Sequence, residues 1–182
     1  MSGYPSGETT NRRTDSLRSM ADTRAFEAMM ATLDYPMFIV TLQVGEERSG
    51  CLVGFAGQVS IHPGRFLTCL SDKNHTYRVA DRGAEHLGVH LVPADAIDLA
   101  ELFGGQTGDE VDKFARTAWH EGPHGVPILD GCPTWLVGRV AERIPFGDHV
   151  GFLLEPVAVQ HDDSSGMLDF QRARGIQAGH AP

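Results

Sequence analysis

At 182 residues with a formal net charge of −9, the chain has room for one domain with a sizeable core. Apolar residues make up 41% and charged residues 21%, ordinary for a soluble globular fold, and the acidic balance argues against a protein that grips a nucleic-acid backbone. No apolar run approaches the roughly 20 residues of a membrane-spanning helix, and the first 20 residues lack the apolar stretch of a secretory signal. Three cysteines (Cys51, Cys69, Cys132) without CxxC spacing fit a reducing, cytoplasmic setting, as small core hydrophobes.

Residues 1–20 are rich in Ser, Thr, Gly and Arg and read as a disordered arm, followed by a domain over 21–160 and a loose C-terminal tail over 161–182. Asp22 is a good N-cap, and Ala25, Phe26, Met29, Met30 and Leu33 recur at helical spacing, which predicts a helix packed on the core and ended by Pro36. Met37–Val44 reads as a strand, and Ser49–Ile61 as one long strand carrying Gly50, Gly54 and Gly57. His62, Pro63 and Gly64 turn the chain into an apolar, central strand, Arg65–Leu70.

Asn74 can cap a short helix, His75–Asp81, with Gly83 just past its end. Glu85–Val92 returns as a strand, and a helix begins after Pro93 and stops at Gly104 and Gly105. Residues 104–131 read as an irregular connection. Cys132–Ile144 and His149–Val159 close the set as two strands joined by a Pro145–Asp148 turn. Six or seven strands with regular turn signals and few helices favour a barrel over a doubly wound sheet.

Three features could carry chemistry. The first is the run from Ser71 to Thr76, which leads from a strand end into a helix start and offers N–H, hydroxyl, amide and ammonium donors to an anion. A plain helix cap with solvated charges has the same sequence. The second is the strand around Gly54, Ala56, Gly57, Gln58 and Ser60, whose small residues let backbone groups reach the edge of a flat aromatic ligand. A bent barrel strand also uses glycines in this way. The third is His149, after Gly147 and Asp148 at a strand start, where it can steer a second substrate or donate a proton, or simply complete the turn. Zinc is disfavoured: His86 and His90 lie roughly 13 Å apart on a strand, and His120 and His124 flank Gly122 and Pro123, which do not form the helix that an HExxH site needs. The glycines at 104–108 follow a helix, so they are no dinucleotide fingerprint.

Taken in order, the strand-turn-strand GCLVGFAGQVSIHPGRF, the CLSDKNHT loop, VHLV at 89–92, DKF at 112–114, PILDG at 127–131 and GDH at 147–149 resemble one family over about residues 34–158. It is the flavin reductase-like, FMN-binding split-barrel family, which includes reductase components of two-component flavin monooxygenases. The resemblance implies a mainly β, six- to seven-stranded antiparallel split β-barrel with short inserted helices, homodimeric, binding FMN or FAD near the dimer interface. It implies that Val53, Gly54, Phe55, Ala56, Gln58, Val59 and Ser60 line the flavin ring, while Ser71, Asn74, His75 and Thr76 hold the phosphate end. Lys113 and Phe114 then approach from the long connection toward the partner's flavin, and His149 stands as the catalytic residue near the nicotinamide of NADH or NADPH.

The implied activity is NAD(P)H:flavin oxidoreduction, with reduced flavin passed to a flavin-dependent monooxygenase. Where the family often has Thr-x-Ser-Ser-Phe, this chain has Leu52, Val53, Gly54, Phe55 and Ala56; Gly64 replaces a proline at the turn, and His90 an asparagine. The loss of both serine hydroxyls leaves two alternatives open: a non-enzymatic flavin carrier or sensor, and a split barrel adapted to another ligand such as a haem or deazaflavin.

Overall fold

The computed structural model describes residues 22–162 and 166–179. It divides into two units, residues 1–34 and 35–182. In the first, helix α1 spans 22–30, and the Ala31 amide donates to the Glu27 carbonyl at 2.9 Å. Its apolar stripe is not core, contrary to the expectation from spacing: Phe26, Met29 and Leu33 are exposed. Among the described residues of that unit no second element exists to bury them. The arm expected over 1–20 lies outside the described residues.

The second unit is built on a seven-stranded antiparallel sheet in the order β2-β1-β5-β8-β9-β4-β3. The strands are β1 (Phe38–Val44), β2 (Glu47–Val53), β3 (Ala56–Ser60), β4 (Arg65–Ser71), β5 (His86–Leu91), β8 (Trp135–Pro145) and β9 (His149–Gln160). A mostly apolar run such as Ile39–Leu42 is what a strand covered on both faces requires; all four residues are buried, and the one polar member, Thr41, donates from its hydroxyl to the Pro127 carbonyl at 2.7 Å. Successive side chains alternate between faces: Val40 and Leu42 join a core with Leu70, Val79, Phe152 and Leu154, while Ile39 joins a second core with Phe103, Leu129 and Leu168.

Helix α2 (His75–Asp81) starts as the sequence predicts, with the Asn74 side chain accepting from the Thr76 amide. Gly83 follows at φ +118°, a left-handed position that favours glycine. β4 is interior but not central, being flanked by β9 and then by the edge strand β3.

Four further expectations are corrected. The long strand over 49–61 is two strands, broken at Gly54 and Phe55. Since β2 and β3 are the two ends of the strand order, and the Cα atoms of Val53 and Ala56 lie at most roughly 11 Å apart along the chain, the sheet curves until its edges meet at this corner. Helix α3 (Ile97–Gly105) runs through its glycines rather than stopping before them. A Cβ on Gly104 would stand 2.8 Å from the Leu52 side chain, so the glycine allows the helix to lie close on β2. The connection 104–131 contains its own ribbon, β6 (Trp119–Glu121) paired with β7 (Pro127–Leu129). Finally, the segment after β9 is not loose. Leu168 is fully buried, its amide donates to the Val92 carbonyl at 2.8 Å, and helix α4 (Phe170–Ala173) docks with the Phe170 amide on the Tyr35 carbonyl at 2.9 Å.

Candidate functional site

The corner between β2 and β3 forms one wall of a cavity of about 220 Å³. Leu52, Val53, Gly54 and Phe55 line it from the corner, Cys69, Leu70 and Ser71 from β4, and Asn74 and His149 from the ends of α2 and β9. Tyr35, Met37 and Phe170 close the other side. Tyr35 and Phe170 stack with centroids 4.8 Å apart and planes 14° from parallel. Gly54 is required by this wall, because a Cβ there would lie 2.9 Å from the Tyr35 ring. The walls are apolar and sulfur-bearing; the polar groups, Ser71, Asn74 and His149, come from strand and helix ends.

Two of these polar groups are prepared by local bonds. Asn74 Oδ1 is used by the Thr76 amide, which leaves the Nδ2 amide to donate toward a ligand. His149 Nδ1 meets Asp148 Oδ1 at 2.8 Å, and its ring stands edge-on to Phe55 at 5.1 Å. A carboxylate can only accept, so Nδ1 carries the proton and Nε2 remains the free ring nitrogen. The hydrogen bond from His149 holds the Asp148 carboxyl below its ordinary range. The turn is fixed by the Phe146 amide donating to the His149 carbonyl at 2.8 Å and by Gly147 at φ +94°, and the Asp72 amide donates to the Asp148 carbonyl at 3.0 Å. The loop after β4 and the turn before β9 are therefore tied together by backbone.

Of the residues singled out from sequence, Val53, Gly54, Phe55, Ser71, Asn74 and His149 converge on this cavity. Ala56, Gln58, Val59 and Ser60 do not; they lie on the edge strand, where Gln58 and Ser60 bond to neighbouring carbonyls and Val59 is exposed. His75 turns away and sits between two carboxylates, with Nδ1 2.8 Å from Asp109 and Nε2 3.2 Å from Glu47. Those charges repel a phosphate. The bonds from Arg78 and then His75 hold the Asp109 carboxyl well below its usual range.

Thr76 is buried with its hydroxyl 3.0 Å from that of Ser49. Lys113 is buried too, donating from Nζ to the carbonyls of Gly50 at 3.1 Å and Phe103 at 3.0 Å, and Phe114 packs edge-on against Phe103 and Trp119. Both border a different cavity, beside Glu47 and Asp109. Within this chain they serve the core rather than the Gly54 pocket.

Sequence reasoning missed Tyr35, Met37, Cys51, Leu52, Cys69, Leu70 and Phe170. Phe170 had a readable signal, since Asp169 is an N-cap whose side chain accepts from the Arg172 amide. His90, which replaces the family's asparagine, is fully buried: Nδ1 lies 3.1 Å from the Ile39 carbonyl and Nε2 accepts from the Leu129 amide at 3.2 Å. Among the described residues no cluster of three His, Cys, Asp or Glu side chains could hold a metal ion.

Sheet and cavity together define a small β domain with an apolar cavity that carries Ser71, Asn74 and His149 among its lining residues. The family model described as flavin reductase like domain matches residues 30–176. The chain belongs to that family. It is 29% identical over 139 residues to an FMN reductase (NADH) of Stutzerimonas stutzeri, covering 76% of this chain and 79% of that one. It is 27% identical over 152 residues to a 4-hydroxyphenylacetate 3-monooxygenase reductase component of Pseudomonas aeruginosa, covering 82% and 89%. The solved structure of an NADH:FAD oxidoreductase from Streptomyces globisporus superposes with a TM-score of 0.75 at 20% identity, covering 88% of this chain and 91% of that one, and supports the fold.

Proposed function

We propose that the protein is an NAD(P)H:flavin oxidoreductase, built as a homodimeric split barrel, that supplies reduced flavin to a partner monooxygenase. The carrying observation is the cavity between the Gly54 corner and the Tyr35–Phe170 stack, with His149 on its rim. Its chemistry fits a flavin: apolar walls suit a flat ring system, and Ser71 and Asn74 give donors for the ribityl phosphate end. The names of the related FMN reductase and monooxygenase reductase component favour the same reading. Phe55, Val59, Ile61, Val157 and Val159 leave an exposed apolar set on β3, β9 and their links, the kind of surface a second copy covers.

Bound flavin supplies the two-electron acceptor: NAD(P)H and a proton enter, and NAD(P)⁺ and reduced flavin leave. The chain's own contribution is positional. Val53, Gly54 and Phe55 present backbone to the ring edge, the aromatic wall excludes water, and Ser71 with Asn74 anchors the polar end. With flavin held there, proximity to the nicotinamide would supply most of the rate. His149, oriented by Asp148 through Nδ1, offers Nε2 to the nicotinamide side. None of these roles requires the lost serine pair.

The test is oxidation of NADH or NADPH by purified protein with FMN or FAD, followed by nicotinamide absorbance. Turnover in at least one of the four combinations is expected; none in all four would overturn the assignment. Flavin bound without turnover would favour the carrier alternative.

A further inference from the structure

The β6–β7 ribbon is fastened to the main sheet at two places, and a histidine of β5 stands at each. At its foot, along β7, His90 Nε2 accepts from the Leu129 amide at 3.2 Å, and the Thr41 hydroxyl donates to the Pro127 carbonyl at 2.7 Å. At its tip, the His124 ring lies flat on that of His86, with centroids 3.9 Å apart and planes 4° from parallel. His124 is exposed and, among the described residues, is the one non-glycine residue at positive φ, +59°. L side chains rarely adopt that backbone, so a ring-on-ring contact holds the tip in an unfavourable turn.

Acid acts on that contact. The charged groups facing the His86 ring are Glu85 beside it on β5, Arg139 opposite it on β8 and His124 on the ribbon. Burial, then His124, holds the His86 pKa below its ordinary value, with Arg139 adding to the effect and Glu85 opposing it. A released His86 therefore takes up a proton more readily than the stacked one. The closed tip is fully favoured above about pH 6.5 and loses ground as pH falls. His90 responds with the same sign but lower down, burial taking its pKa to about 4. The tip is thus the first of the two fastenings to yield.

We propose that the His86–His124 stack is an acid-released latch, in which proton uptake frees the ribbon tip from β5 while the sheet stays folded. The device is independent of what the Gly54 cavity binds. It reaches that cavity by one route: Leu129, at the foot, packs in the same core as Met37, which lines the cavity. Acid therefore loosens the ribbon in stages, tip before foot, and only the second stage touches the core behind the site.

An isolated two-stranded ribbon is marginal in water, so the bonds of this turn report whether it is fastened. The Gly122 amide donates to the Val126 carbonyl at 2.9 Å, and the Val126 amide to the Pro123 carbonyl at 3.2 Å. Hydrogen exchange of the full chain, corrected for the intrinsic effect of pH on amide exchange, reads their protection at pH 7.5 and pH 5.5. Tip protection should fall about three- to tenfold on acidification, since one proton shifts an opening equilibrium by at most about tenfold per pH unit. At both pH values the tip should exchange faster than β8 and β9, as local opening requires. His86→Gln should abolish the change with pH, and His124→Gly, which suits the left-handed backbone, should reduce it. Tip protection that is the same at both pH values, or equal to that of β8 and β9, would overturn the latch. So would the full change with pH retained in either variant.

Discussion

Tyr35 and Phe170 stack at 4.8 Å and 14°, joining the residue that leads into the first strand to a helix beyond the last one. The pair is also tied by backbone, through the Phe170 amide and the Tyr35 carbonyl. Phe170→Ala should therefore weaken flavin binding by about tenfold and lower stability by about 1–2 kcal/mol, as a half-buried aromatic pair is lost. Phe170→Tyr should restore both. Flavin titration and thermal unfolding on the same preparations read the two effects separately.

His149 and Asp148 give a kinetic prediction. His149→Ala should raise the Michaelis constant for the nicotinamide while flavin affinity stays constant, since removal of uniform binding shows in that constant. Asp148→Asn should act in the same direction but less strongly, because the ring loses its orienting carboxylate and keeps its nitrogens. Equal losses of nicotinamide and flavin affinity would make the histidine structural.

His90 makes the fold acid-sensitive. Burial lowers its pKa to about 4, against 6.5 for an ordinary histidine. The unfolded chain therefore binds the proton more readily than the folded one. The stabilisation is full above pH 6.5 and is lost as pH falls toward 4, by about 1.4 kcal/mol per unit within that window. Urea unfolding at pH 7 and pH 5 should show His90→Asn less stable than the parent at pH 7, with a smaller loss on acidification.

Lys113 separates a core role from a ligand role. Burial lowers its pKa, yet Nζ donates to two carbonyls in the interior. Lys113→Met keeps the stem and removes that donor from both carbonyls, with an expected cost on the order of 2 kcal/mol. That corresponds to roughly 4–8 °C in thermal midpoint. A change in flavin affinity with the midpoint intact would instead return Lys113 to the ligand.

The cysteines differ in reactivity. Burial pushes the Cys51 thiol up to about 11 and the Cys132 thiol up to about 12, and raises Cys69 as well. Cys69 alone is half-buried, and it lines the cavity. A disulfide reagent at pH 8 should label one thiol in the native protein, at Cys69, and bound flavin should slow that labelling. Cys69→Ser should abolish the native signal, with all remaining thiols appearing on denaturation.

The strands and the short capped helix were legible because alternation and caps are local properties: Asn74 ahead of His75–Asp81 is read from four residues. The two halves of the run 49–61 look alike in composition, and only pairing shows that β2 and β3 end up at opposite edges of the strand order. The six site residues that converge lie on the corner, the end of β4, the α2 cap and the β9 start, where the motif spacing carried information. His75 and Lys113 have the right chemistry but point elsewhere, because their partners, Asp109 and the Gly50 carbonyl, are distant in sequence. Phe170 was missed because a four-residue helix has no periodicity to reveal it.

Phe170 also carries a consequence for biosynthesis. During translation the seven strands are complete at Gln160, before the segment that bears Phe170 has emerged. Domains generally fold as units as the chain is made, N-terminal parts first. A nascent chain can thus form its sheet while the pocket still lacks one ring of its stacked pair, and that wall is completed only when α4 has docked.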